Sequence, residues 1–227
     1  MEENTRVKTY GIRIGIFALA AQHGIYLLAH FLSQMIGFAP ILPKLAADDL
    51  FPIVPVFIVP YIWSYLFWAM GPMAVSRCKV SHFKDFMAAW LLSCLVGAVI
   101  LMLMPTYMNR VEEGLYSVEG SGFFVRLMQF WYSLDGGELA YNLFPSFHCI
   151  NSTVCCLGVL GRKEIPKWYR VYSLITTVLI YLSTLYVKQH FLPDVFGGIA
   201  IAAVCYALTV RFHWGRMFDG IVARRKQ

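Results

Sequence analysis

Two short stretches of the chain combine histidine with groups that could orient it or bind an anion. The first runs from Asn142 to His148, where Pro145 favours a helix start and Ser146 and His148 fall in the first turn. A helix N-terminus presents unpaired backbone N–H groups and the positive end of the helix dipole, which together bind anions. This stretch is therefore a candidate anion site that contains a proton carrier.

The second stretch runs from Ser183 to Asp194 and places His190 four residues before Asp194. A carboxylate at this spacing can hold one imidazole nitrogen and leave the other free to attack, as in catalytic triads. A His–Asp pair alone is more often structural than catalytic. Both stretches together are more informative, because they gather ionisable groups in a chain that otherwise avoids charge.

The composition indicates an integral membrane protein. Of the 227 residues, 59% are hydrophobic and 14% are charged, whereas a soluble domain is about 25% charged. A membrane-spanning helix needs roughly 20 apolar residues, so the chain is long enough for six. We predict an all-α fold in which residues 1–227 form one domain, a bundle of six transmembrane helices. The predicted spans are Ile14–Ile36, Ile53–Val75, Phe86–Met104, Phe144–Leu160, Val171–Val187 and Pro193–Phe212.

The distribution of Lys and Arg predicts the orientation of these spans. If the N-terminus is cytoplasmic, 15 of the 19 basic residues fall on the cytoplasmic side, and such an excess marks that side in membrane proteins. Both termini are then cytoplasmic, and the loops Gly37–Pro52, Pro105–Leu143 and Lys188–Leu192 face outward. Both histidine stretches consequently lie at the outer face. The first apolar run is too long for a signal peptide, so we predict that it is a retained anchor.

Further elements are predicted to shape this face. Phe123–Leu134, in the longest outer loop, repeats apolar residues at helical spacing, which indicates an amphipathic helix in the membrane interface or packed on the bundle. Polar and small residues dilute the fourth segment, which is therefore predicted to be the central helix. The aromatic run from Tyr61 to Trp68 is interpreted as interface anchoring and packing. Three polar residues of the first segment are interpreted as a polar stripe that faces the bundle: His23, His30 and Gln34.

The two histidine stretches give the chain a resemblance to a known family. Pro145–His148 has the form Pro-Ser-x-His, and Ser183 is followed by His190-x-x-x-Asp194. These forms resemble the second and third motifs of the type 2 phosphatidic acid phosphatase superfamily of membrane lipid phosphatases and phosphotransferases. The motif core covers residues 105–198, and the six-span plan extends the resemblance over most of the chain.

The first family motif, a Lys followed by Arg-Pro, is degenerate here. Arg110 is the possible counterpart of its Arg, while Leu103 stands where the Lys belongs and Val111 replaces the Pro. In the third motif, Thr184 occupies the position of an Arg. Two phosphate-binding cations of the standard phosphatases therefore lack obvious counterparts. The motif forms are more similar to the inositol phosphorylceramide synthase-like branch, which moves a phospho-headgroup to another alcohol.

By this resemblance, the chain is predicted to be a metal-independent lipid phosphatase that acts at the outer membrane face. The resemblance implies that His190 attacks phosphorus and becomes a phosphohistidine, that Asp194 orients His190, and that His148 exchanges protons with the leaving and accepting oxygens. Arg110 and Ser146 are expected to bind the phosphate oxygens. No cofactor is expected. The expected partners are the membrane bilayer and a phospholipid, sphingolipid or polyprenyl phosphate.

Alternatives remain open. The alternatives to a phosphatase are a lipid phosphotransferase, a non-catalytic lipid-binding family member and a small transporter. Lys188 and Arg126 are further candidates for the missing phosphate-binding charge. A zinc site of His148, Cys149 and His190 is disfavoured, because nothing sets a ligand spacing. Nucleic acid is not an expected partner, since the basic residues lie in short clusters between apolar runs. Short loops and the absence of a cleavable signal favour a bacterial plasma membrane.

Overall fold

The computed structural model describes residues 12–115 and 122–219, which form seven α-helices and one small sheet. Strands β1 (Tyr107–Asn109) and β2 (Leu139–Tyr141) pair antiparallel. Short 3-10 turns occupy Ala46–Leu50, Pro55–Phe57 and Trp214–Phe218. The helices are α1 (Ile12–Ile36), α2 (Ile58–Val75), α3 (Val80–Leu103), α4 (Phe123–Leu134), α5 (Phe147–Val159), α6 (Lys167–Tyr186) and α7 (Leu192–Phe212).

Each of the six predicted apolar segments corresponds to a helix. Within the described residues, four helices are long and apolar enough to cross a membrane: α1, the run Pro55–Val75 that contains α2, α3 and α7. Helix α5 has 13 residues, which at 1.5 Å per residue extend about 20 Å, less than the hydrocarbon core of a bilayer. Six spans and cytoplasmic termini therefore stay predictions. Of the basic residues counted for orientation, Arg6, Lys8 and the run Arg224–Lys226 lie outside the described residues.

Hydrogen bonds between the segments that link the helices hold several helix ends together at one end of the bundle. The backbone N–H of Ser146, just before α5, donates to the carbonyl of Asp194 in the first turn of α7, at 3.0 Å. The N–H of Leu192 donates to the carboxylate of Asp48 at 2.7 Å. The connecting segments that meet here, residues 37–57, 104–115, 122–146 and 187–191, define what we call the site end of the bundle.

Helix α5 is the central helix, as its polar composition predicts. Eleven of its 13 residues are buried, and it packs against α2, α3, α6 and α7. Its polar side chains are bound by tryptophans of the facing helices: Trp68 Nε1 donates to Ser152 Oγ at 2.9 Å, and Trp90 Nε1 donates to Asn151 Oδ1 at 2.9 Å. These buried polar groups therefore find partners inside the bundle, as apolar surroundings require.

The predicted helix in the long loop is confirmed as α4, with the predicted bounds. Met128 and Tyr132 are buried against the turn at Pro55–Phe57 and α2, while Phe130 and Leu134 are exposed. Its contact with the bundle is therefore established, and its position in a membrane interface stays a prediction.

A glycine in α7 sets the distance between the helices that carry the two histidine stretches. A Cβ atom at Gly198 would lie 2.6 Å from the carbonyl oxygen of Ser146 and 2.9 Å from Cβ of Cys149. We expect Gly198→Ala to reduce the free energy of unfolding by about 1–3 kcal/mol, because α5 and α7 must separate. Thermal unfolding of the detergent-solubilised protein measures this. Gly24→Ala is the matched control, since nothing lies within 4 Å of its added Cβ; equal unfolding midpoints for the two variants would contradict the prediction.

Candidate active site

A cavity of about 250 Å³ lies at the site end, between α1, α2, α4 and α5. Its lining includes both predicted catalytic histidines, His148 and His190, whose ring centroids are 5.9 Å apart. No Lys or Arg of the described residues lines it, and its one acidic lining residue is Asp135. The fold thus brings together two groups that lie 42 positions apart in the chain, in a cavity that no Lys or Arg of the described residues lines.

His190 lies in the short connection between α6 and α7. The carbonyl of Thr184 accepts the N–H groups of both Gln189 (2.9 Å) and His190 (3.1 Å), which fixes the backbone at this position. The imidazole Nδ1 lies 3.4 Å from Oδ2 of Asp194, and the same oxygen accepts the N–H of Phe191 at 2.9 Å. The His–Asp contact is long for a hydrogen bond, as catalytic contacts often are without bound substrate. Asp194 is fully buried with its Oδ2 toward Nδ1 of His190, and its role in orienting that imidazole stays a prediction.

Ser146 caps α5. Its hydroxyl accepts the N–H of Cys149 at 3.3 Å, and the helix begins at Phe147, so Pro145 precedes the cap instead of occupying the first helical position. Ser146 is fully buried and is not part of the cavity lining. Since a hydroxyl that accepts one bond still carries a proton to donate, its predicted contact with phosphate stays a prediction.

His148 lies in the first turn of α5 against an aromatic wall. Its ring stacks on Tyr61 at 4.3 Å between centroids and meets Trp68 and Tyr65 at 5.0 and 5.8 Å. Its Nε2 is buried and has no hydrogen-bond partner among the described residues. The three aromatic residues follow helical spacing and share one face of α2. The sequence analysis interpreted this run as anchoring and packing and did not predict that these residues line the cavity. Their helical spacing was the signal that could have shown it.

Arg110 is fully buried, and all five of its N–H groups are used within the protein. Its Nη1 donates to the carbonyls of Asp135 (2.8 Å) and Gly137 (2.6 Å). Its Nη2 donates to the Asp135 carboxylate (2.9 Å) and to Gln189 Oε1 (2.8 Å). Its Nε points to the carbonyl of Lys188 at 3.4 Å. Arg110 does not line the cavity, so the predicted direct contact with phosphate would require at least one of these bonds to be exchanged.

The other two candidate cations also lie away from the cavity lining. Lys188 pairs with the carboxylate of Glu113 at 3.2 Å, and Arg126 is exposed on α4. Glu113 pairs in addition with Lys44 at 2.7 Å. The Asp49 carboxylate and then that of Glu113 raise the pKa of Lys44, so this ammonium stays charged. These ion pairs join the loops at the site end to one another and stabilise the connection that carries His190.

Two cavity residues were not found by sequence reasoning. Gln22 on α1 is buried, and neither polar atom of its amide has a partner among the described residues. Gln189 is buried beside His190, and its Nε2 likewise has no partner among them. A glutamine next to a motif histidine does not by itself indicate a functional residue, since surface glutamines are common.

No group of three or more His, Cys, Asp or Glu side chains that could hold a metal ion occurs in the described part of the chain.

These features describe a helical protein with four long apolar helices and a paired-histidine cavity at one end. The chain belongs to the PAP2 superfamily, whose family model matches residues 45–208, a range that contains both histidine stretches. The resemblance stated from the motifs is thereby confirmed at the level of the family.

The chain is also similar to a PA-phosphatase related-family protein from Dictyostelium discoideum. The two are 26% identical over 168 residues, and the alignment covers 64% of this chain and 29% of that relative. The chain therefore spans less than a third of that relative's length. No solved structure is a significant match.

Proposed function

We propose that the protein is a membrane lipid phosphate phosphatase that works through a phosphohistidine on His190. The observation that carries the proposal is the pair of imidazoles at one cavity, 5.9 Å apart, with Asp194 behind His190. Membership of the PAP2 superfamily and the similarity to a PA-phosphatase related-family protein support a lipid phosphate as substrate.

The proposed reaction has two steps. With its Nδ1–H donating to Asp194, His190 keeps an unprotonated Nε2 that attacks phosphorus while the bond to the lipid oxygen breaks. His148 donates a proton to that leaving oxygen. The resulting neutral imidazole then takes a proton from the acceptor, whose oxygen displaces His190 from phosphorus. Water as acceptor gives hydrolysis, and an alcohol gives transfer.

Headgroup transfer is the second candidate, and the lining of the cavity favours it. Without a Lys or Arg among the described lining residues, a doubly charged phosphate monoester would meet only the protonated His148 and neutral donors there. A phosphodiester carries one negative charge and requires less compensation in an environment of low dielectric constant. The backbone N–H groups at the start of α5, near Phe147, are suited to such a monoanion.

A panel assay separates these reactions. Purified full-length protein is incubated with phosphatidic acid, a lysolipid phosphate, a polyprenyl diphosphate or phosphatidylinositol, each with and without a lipid alcohol. Phosphate release is measured, and mass spectrometry detects transfer products. Release without transfer supports the phosphatase, and a new phosphodiester supports the transferase. Neither product from any substrate would contradict both and favour a non-catalytic lipid binder or a transporter.

We further propose that the site faces the non-cytoplasmic side of its membrane, as the distribution of basic residues indicates. We take this membrane to be a bacterial plasma membrane, on the short loops noted above. The six native cysteines are all buried. In a background without them, Glu112→Cys at the site end is expected to react with an impermeant maleimide added to intact cells. Lys163→Cys at the opposite end is expected to react only after permeabilisation. Both positions are exposed, and the reverse pattern would place the site in the cytoplasm.

Arg110 is expected to be sensitive even to conservative replacement. Lysine offers three donors from one atom, so Arg110→Lys must leave at least two of the five present contacts unmade. Since a hydrogen bond from a charged group contributes about 1.5–3 kcal/mol, we expect a lower unfolding midpoint and about a ten- to hundredfold loss of kcat/KM. The control is Arg126→Lys, an exposed position on α4. Activity of Arg110→Lys within twofold of the wild type would show that the guanidinium network does not support the site.

A further inference from the structure

Resting on the proposed function, we propose that Gln189 is a catalytic residue whose side-chain amide donates a hydrogen bond to a phosphoryl oxygen. The protein would thus use a neutral donor in a cavity that has no lining Lys or Arg among the described residues. The inference starts from one atom: Nε2 of Gln189 is buried, belongs to a residue of the cavity lining, and has no partner within the described part of the chain.

The chemistry of Arg110 decides which way the amide of Gln189 is turned. A guanidinium can only donate, so the atom of Gln189 that lies 2.8 Å from Arg110 Nη2 must be the amide oxygen. The nitrogen is therefore on the other branch of the amide, away from Arg110. Turning the amide over would bring two donors together, which the buried network does not permit. Both N–H groups of Gln189 consequently remain available to a ligand.

Arg110 also strengthens this donor. A hydrogen bond from a cation to an amide oxygen draws electron density from the amide nitrogen, and hydrogen bonds in series reinforce each other where the dielectric constant is low. The positive charge of Arg110 thus acts on the cavity through Gln189, although Arg110 itself does not line it. Because four other protein contacts hold the guanidinium in place, the amide is fixed before substrate arrives, and such preorganised donors stabilise developing charge most effectively.

The position of Gln189 is suited to a side chain that donates a hydrogen bond to a phosphoryl oxygen. It immediately precedes His190, and one carbonyl, that of Thr184, holds the backbone N–H groups of both residues. A phosphoryl group attacked by His190 would therefore have its oxygens close to the side chain of Gln189. A buried donor without a partner is unfavourable in the free protein, and a phosphoryl oxygen would remove that cost on binding.

Two substitutions separate donation by the amide from a structural role. Gln189→Glu keeps an oxygen acceptor for Arg110 but removes both N–H donors. Gln189→Met is neutral and of similar size, and also lacks the donors. Binding of orthovanadate and of inorganic phosphate to the detergent-purified full chain is measured by calorimetry, so that no lipid substrate needs to be known. Thermal unfolding shows whether each variant is folded. The control for added charge is Gln129→Glu, an exposed position on α4.

We expect both Gln189 variants to bind vanadate about ten- to a hundredfold more weakly than the wild type, while Gln129→Glu binds normally. Gln189→Glu should unfold at or above the wild-type temperature, because its carboxylate pairs with Arg110. Binding by Gln189→Met within twofold of the wild type would overturn the inference, even if Gln189→Glu bound weakly through charge repulsion. Absence of vanadate and phosphate binding by the wild type would also overturn it. The proposed function is tested separately, by formation of the phosphoenzyme on His190.

Discussion

Replacing His190 with alanine is expected to abolish turnover and the phosphoenzyme together. In the proposed reaction the covalent intermediate forms on this imidazole, so its loss removes the reaction path and not merely one contribution to it. We expect the rate to fall by more than about a thousandfold. Rapid quenching of wild-type protein with radiolabelled substrate should trap an acid-labile, base-stable phosphoprotein, and the His190→Ala protein should carry none.

Loss of activity in this variant must be separated from loss of structure. The backbone of His190 is held by the carbonyl of Thr184 and does not depend on the imidazole, so Asp194 is the main group left without its contact. We therefore expect the His190→Ala protein to remain folded, with a small change in its unfolding midpoint. If a folded variant kept more than about 10% of the wild-type rate, His190 would not be the nucleophile.

Replacing His148 with asparagine is expected to slow the reaction about a hundred- to ten-thousandfold for natural lipid alcohols, because their oxygen leaves only with a proton. The effect should depend on the leaving group. With p-nitrophenyl phosphate, whose leaving group is stable as an anion, formation of the phosphoenzyme should be much less affected. Pre-steady-state measurement of p-nitrophenolate release tests this, since it isolates the first step from acceptor activation.

His213→Asn is the matched control for this experiment. His213 is exposed, lies at the end of α7 outside the cavity lining, and has a positive φ that asparagine tolerates. It should leave both steps unchanged. If His148→Asn slowed release of p-nitrophenolate as severely as release of a lipid alcohol, His148 would not act as the general acid, and a packing role against Tyr61 would explain the loss.

Much of the helical framework could be predicted because its causes are local. Long apolar runs form helices whatever lies beside them, so the helix matching each predicted segment is present, and α4 has the predicted bounds. The central place of α5 followed from polar residues that needed partners within a bundle. How many of these helices cross a membrane is a different matter: α5 is short, and four of the described helices are long and apolar enough to do so.

Within the candidate site, the sequence by itself determined the family and predicted the set of His148, His190 and Asp194, because the spacing of each motif already encodes short-range geometry. Only the tertiary structure decided how the cationic part of the site is arranged. The partners of Arg110 lie 25 to 79 positions away in the chain, and no local pattern encodes a contact at that separation. A search of the sequence could look only for a replacement Lys or Arg. The fold instead buries Arg110 behind Gln189, and the hydrogen bond between them is the contact through which we propose that this charge acts on the cavity.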